Sequence, residues 1–371
     1  MKNKKVIVAF SGGVDSSVTC ALLKERGFEV EAMFMKNWTP RSEAEGLMMC
    51  PLKADEKDAR AVASQLGIKL SVVSFEKEYR RDVVDYLFKE YQAGRTPNPD
   101  VLCNSKIKFK VFLEKALERG ADYVATGHYV RKLQDTSSKL QKNSKTQIPN
   151  YKLLKGIDNN KDQSYFLYQI TQEQLAKCLF PIGEYEKPKV REMAKKFNLV
   201  TAKKPDSQGI CFVGEVEMKE FLKQRIKPRK GDIITTAGKK IGEHEGVWYY
   251  TIGQRRGIGV GGGMPYYVVE KDLKNNRLIA ARGDKDDALF KKEMTVGEVH
   301  WIADIEPKLP LKCAVKIRYR QEEQACIVQR SKEAKKQRSK VIFKSKQRAI
   351  TPGQFAVFYQ GEVVLGGGKI L

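Results

Sequence analysis

The chain is 371 residues long, enough to bury a large core and to divide into two or three domains. Its 69 lysines and arginines outnumber 45 acids, and the formal charge of +24 predicts a polyanionic partner, because each cation brought to a phosphate releases counterions. No stretch approaches the roughly 18 apolar residues of a membrane span. The N-terminal apolar run is too short for a signal peptide, and seven cysteines without framework spacing, beside three histidines, speak against a disulfide scaffold or a zinc site. The expectation is a cytoplasmic protein whose cysteines are available for chemistry.

The chain opens on Val6-Ile7-Val8-Ala9-Phe10, a strand pattern, and runs through Ser11-Gly12-Gly13-Val14-Asp15-Ser16-Ser17 into helical periodicity over residues 16–26. A strand that delivers two adjacent glycines and several hydroxyls to a helix N-terminus makes a phosphate cradle. Glycine lets backbone N–H groups approach the oxyanions, and the helix end adds partial positive charge. No Gly-Lys-Ser/Thr follows, which excludes the Walker loop. Ser-Gly-Gly-x-Asp-Ser is similar instead to the pyrophosphate loop of enzymes that split ATP into AMP and pyrophosphate. Asp15 has the wrong sign to meet phosphate, so it is expected to orient the loop or to hold a magnesium ion.

Residues 28–34 read as a second strand, ending at Met35-Lys36-Asn37-Trp38. Residues 55–66, 79–91 and 106–118 have helical periodicity, 68–75 is strand-like, and 123–126 is a strand before Gly127-His128. Strands alternating with helices predict a doubly wound parallel sheet, whose ligands bind beyond the carboxyl ends of the strands. Residues 11–16, Met35 and Gly127 all fall at such ends. Residues 131–150 are polar and irregular, a surface loop or short hairpin insertion. Helical patterns return at 172–178 and 187–197. Past Cys211 the texture changes to glycine and short β-branched runs over 231–263, a small β-containing domain. From Thr295 onward, apolar runs at 313–319, 324–329, 341–344 and 355–365 have hairpin spacing and predict a C-terminal β-barrel. The expected domains are 1–212, 213–285 and 286–371. Residues 330–348 carry nine Lys or Arg against the single acid Glu333. In a β module of a basic chain this favours nucleic-acid contact over a merely solvated face.

Two cysteines stand out by context. Cys103 lies in Asn98-Pro99-Asp100-Val101-Leu102-Cys103-Asn104, read as a Pro-rich loop ahead of a helix, with Lys106 and Lys108 nearby to favour its thiolate. Cys211 ends Asp206-Ser207-Gln208-Gly209-Ile210-Cys211, another loop signature with lysines upstream. Asp100, three residues before Cys103, is a candidate general acid or base. Cys20, Cys178, Cys313 and Cys326 read as small buried hydrophobes.

The motifs occur in a fixed order: Ser-Gly-Gly-Val-Asp-Ser, Met-Lys-Asn-Trp, Asn-Pro-Asp-Val-Leu-Cys-Asn, Ala-Thr-Gly-His-Tyr, Lys-Asp-Gln-Ser-Tyr-Phe-Leu and Asp-Ser-Gln-Gly-Ile-Cys-Phe. With Thr-Ile-Gly-Gln-Arg-Arg-Gly from residue 251 and Thr-Pro-Gly-Gln from residue 351, the chain resembles the tRNA-specific 2-thiouridylases over nearly its full length. The resemblance implies an α/β PP-loop domain, a central domain and a β-barrel that together thiolate the wobble uridine of Lys, Glu and Gln tRNAs. It implies that Ala9, Phe10, Ser11, Gly12, Gly13, Val14, Asp15 and Ser16 hold ATP with Mg2+, and that Met35 and Gly127 contact the adenosine. Asn98, Pro99 and Asp100 would surround the flipped uracil, Cys211 would carry a persulfide, and Cys103 would resolve it as a Cys103–Cys211 disulfide forms. His128, Lys161, Asp162, Gln163, Arg318, Tyr319 and Gln354 would contact tRNA. The implied partners are tRNA and a persulfide donor, either a sulfur-relay protein or a cysteine desulfurase, and the implied state is a monomer. Two rivals remain at this point: an amide-forming synthetase with the same ATP loop, and a tRNA-binding module without catalysis.

Overall fold

The computed structural model describes residues 4–38, 52–135, 150–206, 218–261, 263–331 and 338–371. In chain order the first seven strands are β1 (Lys5–Phe10), β2 (Glu29–Lys36), β3 (Lys69–Ser74), β4 (Tyr123–Ala125), β5 (Val130–Gln134), β6 (Tyr151–Lys155) and the two-residue β7 (Cys178–Leu179). Five of them form a parallel sheet in the order β3-β2-β1-β4-β7. The order reverses direction between β1 and β4. That reversal opens a crevice at the carboxyl ends of those two strands, the position where doubly wound sheets bind ligands.

Alternation along β1 decides what covers each face. Val6, Val8 and Phe10 join one apolar cluster with Val14, Val18 and Leu22 of α1 (Val14–Glu25) and Ala59 and Val62 of α2 (Leu52–Leu66). Ile7 and Ala9 point to the other face. Two helical rods cover it. The first, α3, joins Glu76–Tyr79 to Asp85–Gln92 through a π-helical stretch, Arg80–Val84. The second, α4, runs Pro99–Leu102, then a π-helical Cys103–Phe112, then Leu113–Glu118. A strand buried on both faces reads as a continuous apolar run, as this one does. Two further helices, α5 (Gln172–Lys177) and α6 (Lys187–Lys196), complete this part of the chain. Val190 and Ala194 place α6 in the same cluster as α1.

The central part begins with α7 (Met218–Lys223) and holds β8 (Gly231–Thr235), β9 (Lys240–His244), β10 (Tyr266–Asp272) and β11 (Arg277–Arg282), ordered β10-β11-β8-β9. Its apolar core merges with that of α3: Phe221 stands against Phe88 with ring centroids 5.0 Å apart. The C-terminal strands are β12 (Phe290–Trp301), β13 (Leu311–Lys316), β14 (Gln324–Arg330), β15 (Arg338–Arg348), β16 (Phe355–Gln360) and β17 (Val363–Ile370). They run in the order β12-β15-β14-β13-β16-β17, and a β12–β17 pairing closes them into a six-stranded antiparallel barrel. Closure leaves the barrel without an open edge, except where β17 extends past β12 and accepts β6.

The polar insertion therefore has a structural anchor. Strands β5 and β6 form a hairpin whose second strand pairs with the barrel, Val363 opposite Leu154 and Val364 opposite Leu153. Residues 136–149, which join the two strands in sequence, lie outside the described residues. Of the basic run 330–348, Arg330 ends β14, residues 338–348 are strand β15, and residues 332–337 lie outside the described residues. Ser339, Val341 and Phe343 are buried while Lys344 and Lys346 are exposed, so the cations follow from strand alternation. Lys340 pairs with Glu293 at 2.7 Å and Lys346 with Asp287 at 2.9 Å, which neutralises part of the run. No helix among the described residues is long and apolar enough to cross a membrane.

Candidate active site

The loop between β1 and α1 sits at the crevice. Gly12 has φ +70°, and a Cβ there would lie 2.2 Å from the Asp55 carbonyl oxygen, so both backbone angle and space require glycine. The serines fold into the turn: Ser16 Oγ donates to the Gly13 carbonyl at 3.1 Å and lies 3.2 Å from Ser11 Oγ, and Ser17 Oγ donates to the same carbonyl at 2.8 Å. Gly13 is the N-cap of α1 and offers its first-turn amides no side-chain acceptor. A helix end left uncapped in this way is suited to receive an anion. Gly127, after β4, lies against this turn, since a Cβ on it would stand 3.0 Å from Asp15 C and Ser16 N. Met35 is the next-to-last residue of the neighbouring strand β2, half-buried and packed at the edge of the core. Ala9, Phe10 and Val14 are buried, Phe10 and Val14 in the cluster beneath α1 and Ala9 in the cluster on the other face of the sheet.

Around this loop lies a network of acids and bases that the sequence reading did not anticipate. Asp15 accepts from Lys187 Nζ at 2.8 and 2.9 Å and from the Tyr129 hydroxyl at 2.8 Å. Lys187 also meets Asp206 at 2.8 Å, and Asp206 in turn accepts from Lys161 at 2.6 Å and Arg191 at 2.7 Å. Burial pushes the Asp206 carboxyl up, but its bonds from Lys161 and Lys187 outweigh that and hold it at about 2. Lys204 Nζ donates to the Gly12 carbonyl at 3.1 Å and to Asp55 and Asp58 at 2.7 and 2.6 Å, which ties α2 to the loop. These partners come from five separate segments, so no local motif announces them.

The second candidate stretch is not a loop ahead of a helix. Asn98 is an N-cap whose side-chain oxygen accepts from the Asp100 and Val101 N–H groups at 3.1 and 3.4 Å, and Pro99 occupies the first turn. These are ordinary helix-start residues, and they begin α4 seven residues before the periodicity suggested. Cys103 consequently lies inside the helical rod, buried with Ile107 and Phe112, at the point where the backbone turns π-helical. Such π stretches recur at functional sites. Asn104, the residue after the candidate thiol, donates to the Asp100 carbonyl at 2.9 Å while its own buried Oδ1 is without a hydrogen-bond partner. Burial raises the Asp100 carboxyl above its ordinary value, opposed only in part by Lys108. Cys211 lies outside the described residues.

The residues expected to meet tRNA divide into two groups. Several are engaged within the chain. Asp162 is buried and accepts from the Gly156 and Ser164 amides, both at 3.1 Å, and from Ser164 Oγ at 2.9 Å. Gln163 accepts the Tyr129 N–H at 3.0 Å. His128 is buried with Nδ1 2.8 Å from Thr126 Oγ1, and burial, reinforced by Lys108, holds its pKa well below the usual imidazole range. Arg318 donates to the Ala349 carbonyl at 2.5 Å and to Thr351 Oγ1 at 3.2 Å, and burial together with Arg348 lowers its pKa. Others face outward in part: Lys161 at the acid–base network, and Tyr319, whose ring lies 4.4 Å from that of Phe166 with Arg320 stacked over it.

Thr96 is where the three parts of the chain meet. Its N–H donates to the Pro352 carbonyl at 2.9 Å, and its hydroxyl lies 3.3 Å from that of Thr251. Gln354 Nε2 donates to the Thr96 and Pro97 carbonyls at 2.8 and 3.2 Å. Gly353, with φ +94°, leaves no room for a side chain against Thr96. Glu90 is nearly inaccessible and pairs with Arg95 at 2.6 Å and with Lys369 of β17 at 2.6 Å. Burial works against the ionised Glu90, yet those two cations hold its pKa below the ordinary value. The loop that leads into Asn98-Pro99-Asp100 is thus held from the barrel and from the central domain.

Comparison with known proteins follows the same division. The family model for a "tRNA methyl transferase HUP domain" matches residues 4–215, that for a "tRNA methyl transferase PRC-barrel domain" matches 219–282, and that for an "Aminomethyltransferase beta-barrel domain" matches 291–370. The chain is similar to the tRNA-specific 2-thiouridylase MnmA of Haemophilus ducreyi, 51% identical over 375 residues that span 100% of this chain and 93% of the relative. It is 48% identical to the protein of the same name from Pseudomonas fluorescens, over 99% of this chain and 94% of that one. Matches of this length and identity, over a fold with the pyrophosphate loop at its switch point, leave one assignment: the chain belongs to the tRNA-specific 2-thiouridylase family.

Proposed function

We propose that this protein activates a uridine of tRNA with ATP and replaces the C2 oxygen of the base with sulfur. The observation that carries the reading is the uncapped, glycine-lined N-terminus of α1 at the β1/β4 crevice, in a chain of this family. ATP is the substrate that such a cradle fits. Residues 9–16 bind its phosphates through backbone amides and the serine hydroxyls, and Met35 and Gly127 border the adenosine. Asp15 would offer a magnesium ion one hard carboxylate. The ion would neutralise charge on the departing pyrophosphate. The net charge of +24 and the outward cations of β15 support tRNA as the partner.

In the proposed sequence the uracil O2 attacks the α-phosphorus of ATP and pyrophosphate leaves. The terminal sulfur of a persulfide on Cys211 attacks C2. The Cys103 thiolate then attacks the Cys211 sulfur, the S–S bond to the transferred sulfur breaks, and AMP departs as C2=S forms. The transferred sulfur is reduced and two cysteines are oxidised to a disulfide, so each turnover needs a thiol reductant and a fresh persulfide from a donor protein. Asn98, Pro99 and Asp100 border the base. Burial raises the Asp100 carboxyl above its ordinary value, which suits a group that takes and returns a proton. Lys161 and Tyr319 are proposed to meet the tRNA at the rim, with Arg318 behind them.

The test is nucleoside mass spectrometry of unmodified Glu tRNA after incubation with protein, MgATP, a persulfide donor and reductant. Gain of one sulfur on the wobble uridine is expected for the wild type and is lost in Cys103→Ser and in Cys211→Ser. ATP consumption with every uridine unchanged would point to the amide-forming alternative instead.

A further inference from the structure

Lys187 has no part in the roles assigned so far, yet its position is costly. It is 8% exposed, and a buried ammonium needs counter-charge to offset its lost hydration. It stands against Asp15 in the first turn of α1, where the helix dipole is positive and repels a cation. It is also the first residue of α6, a helix with no acid in its first turn, so its own helix disfavours it as well. The chain nevertheless holds it firmly in place. Asp158 accepts the Lys187 backbone N–H at 2.9 Å, Tyr129 O–H fixes Asp15, and Asp206 closes the far side at 2.8 Å.

An ammonium and an uncapped helix N-terminus add their positive potentials at one point. Two carboxylates, Asp15 and Asp206, now balance that potential. We propose that Lys187 is a phosphate-binding residue of the nucleotide site, which exchanges one of these carboxylates for a triphosphate oxygen when ATP enters and stays with the leaving pyrophosphate. The proposal rests on reading the loop as an ATP site. It differs from a structural ion pair in one respect: the lysine should discriminate ligands by their phosphates and ignore the base and sugar. Charge-assisted hydrogen bonds of this kind are the strong ones, and Lys serves phosphate as a point charge.

The experiment is calorimetric titration of the full chain with MgATP, inorganic pyrophosphate and adenosine. Lys187→Met should weaken MgATP and pyrophosphate by roughly 10- to 100-fold while adenosine affinity stays within about twofold. Lys187→Arg, which keeps the charge, should recover most of the loss. Asp206→Asn removes a competitor for the lysine and should tighten MgATP. Equal weakening of adenosine and MgATP, or no change in either, overturns the proposal. If Lys187→Met does not fold, the other two variants decide: an arginine variant no better than a tenth of wild type, or an asparagine variant with unaltered affinity, also overturns it. A wild type that binds adenosine but neither MgATP nor pyrophosphate refutes the nucleotide reading itself, and the assignment of Lys187 falls with it.

Discussion

Gln354 offers the sharpest separation between holding a loop and touching a substrate. Its amide nitrogen donates to the Thr96 and Pro97 carbonyls at 2.8 and 3.2 Å, across 258 and 257 residues of chain. Each such bond contributes about 0.5–1.5 kcal/mol net, so Gln354→Ala should lower the free energy of opening the 96–101 segment by about 1–3 kcal/mol. Gln354→Glu is nearly isosteric but has no donor at neutral pH, and should behave like alanine or worse, because a carboxylate would face two carbonyls. Amide hydrogen exchange in the absence of tRNA is the assay. The Asp100 and Val101 N–H groups, which report on the Asn98 cap, should exchange faster by roughly 5- to 150-fold in both variants. Unchanged exchange together with a raised KM for tRNA would refute the reasoning and make Gln354 a direct tRNA contact. Faster exchange with kcat lowered more than KM is raised would support a positioning role.

Three further outcomes follow from the geometry. Gly12→Ala forces a Cβ toward the Asp55 carbonyl at positive φ and should cost about 2–4 kcal/mol, read as a lowered denaturation midpoint together with loss of MgATP binding. The Asp100 pKa is raised by burial, so its share of stability is complete below the unfolded value near 3.8 and is lost as pH rises through the higher folded value. Asp100→Asn should therefore be more stable than wild type at pH 7 and equal to it near pH 3 in urea titrations, while the ascending limb of the pH–rate profile disappears. His128 has its pKa pushed down by burial, so it disfavours folding increasingly as pH falls below about 6.5. Its ring carbon shifts should keep their neutral values through pH 6, and titration at an ordinary imidazole pKa would contradict the buried placement.

Much of this protein was legible in its order of residues because the relevant physics is local. A strand, two glycines and a helix start occupy adjacent positions, so the loop at residues 11–16 that is proposed to hold phosphate is visible without any tertiary contact. Apolar runs at hairpin spacing marked the C-terminal strands, and strand alternation, seen in the fold, explains why Lys344 and Lys346 of β15 point outward. Asn98 and Pro99 were equally local signals, an N-cap and a first-turn proline, but their companion prolines and acids also suit a loop. Only the folded chain shows that they start α4 and carry Cys103 inside it. Nothing local announces a partner that is remote in sequence. Asp15 with Lys187, Gly12 with Lys204, Glu90 with Lys369 and β6 with β17 are joined across 172 to 279 residues of chain, and their meeting depends on how the sheet, the central domain and the barrel pack. Sequence by itself determined which segments could bind phosphate, which could be strands and which thiols stood in unusual company. Tertiary structure alone decided which charges neutralise one another at the loop and which carbonyls the barrel holds, because those energies depend on distance and burial that a one-dimensional pattern does not encode.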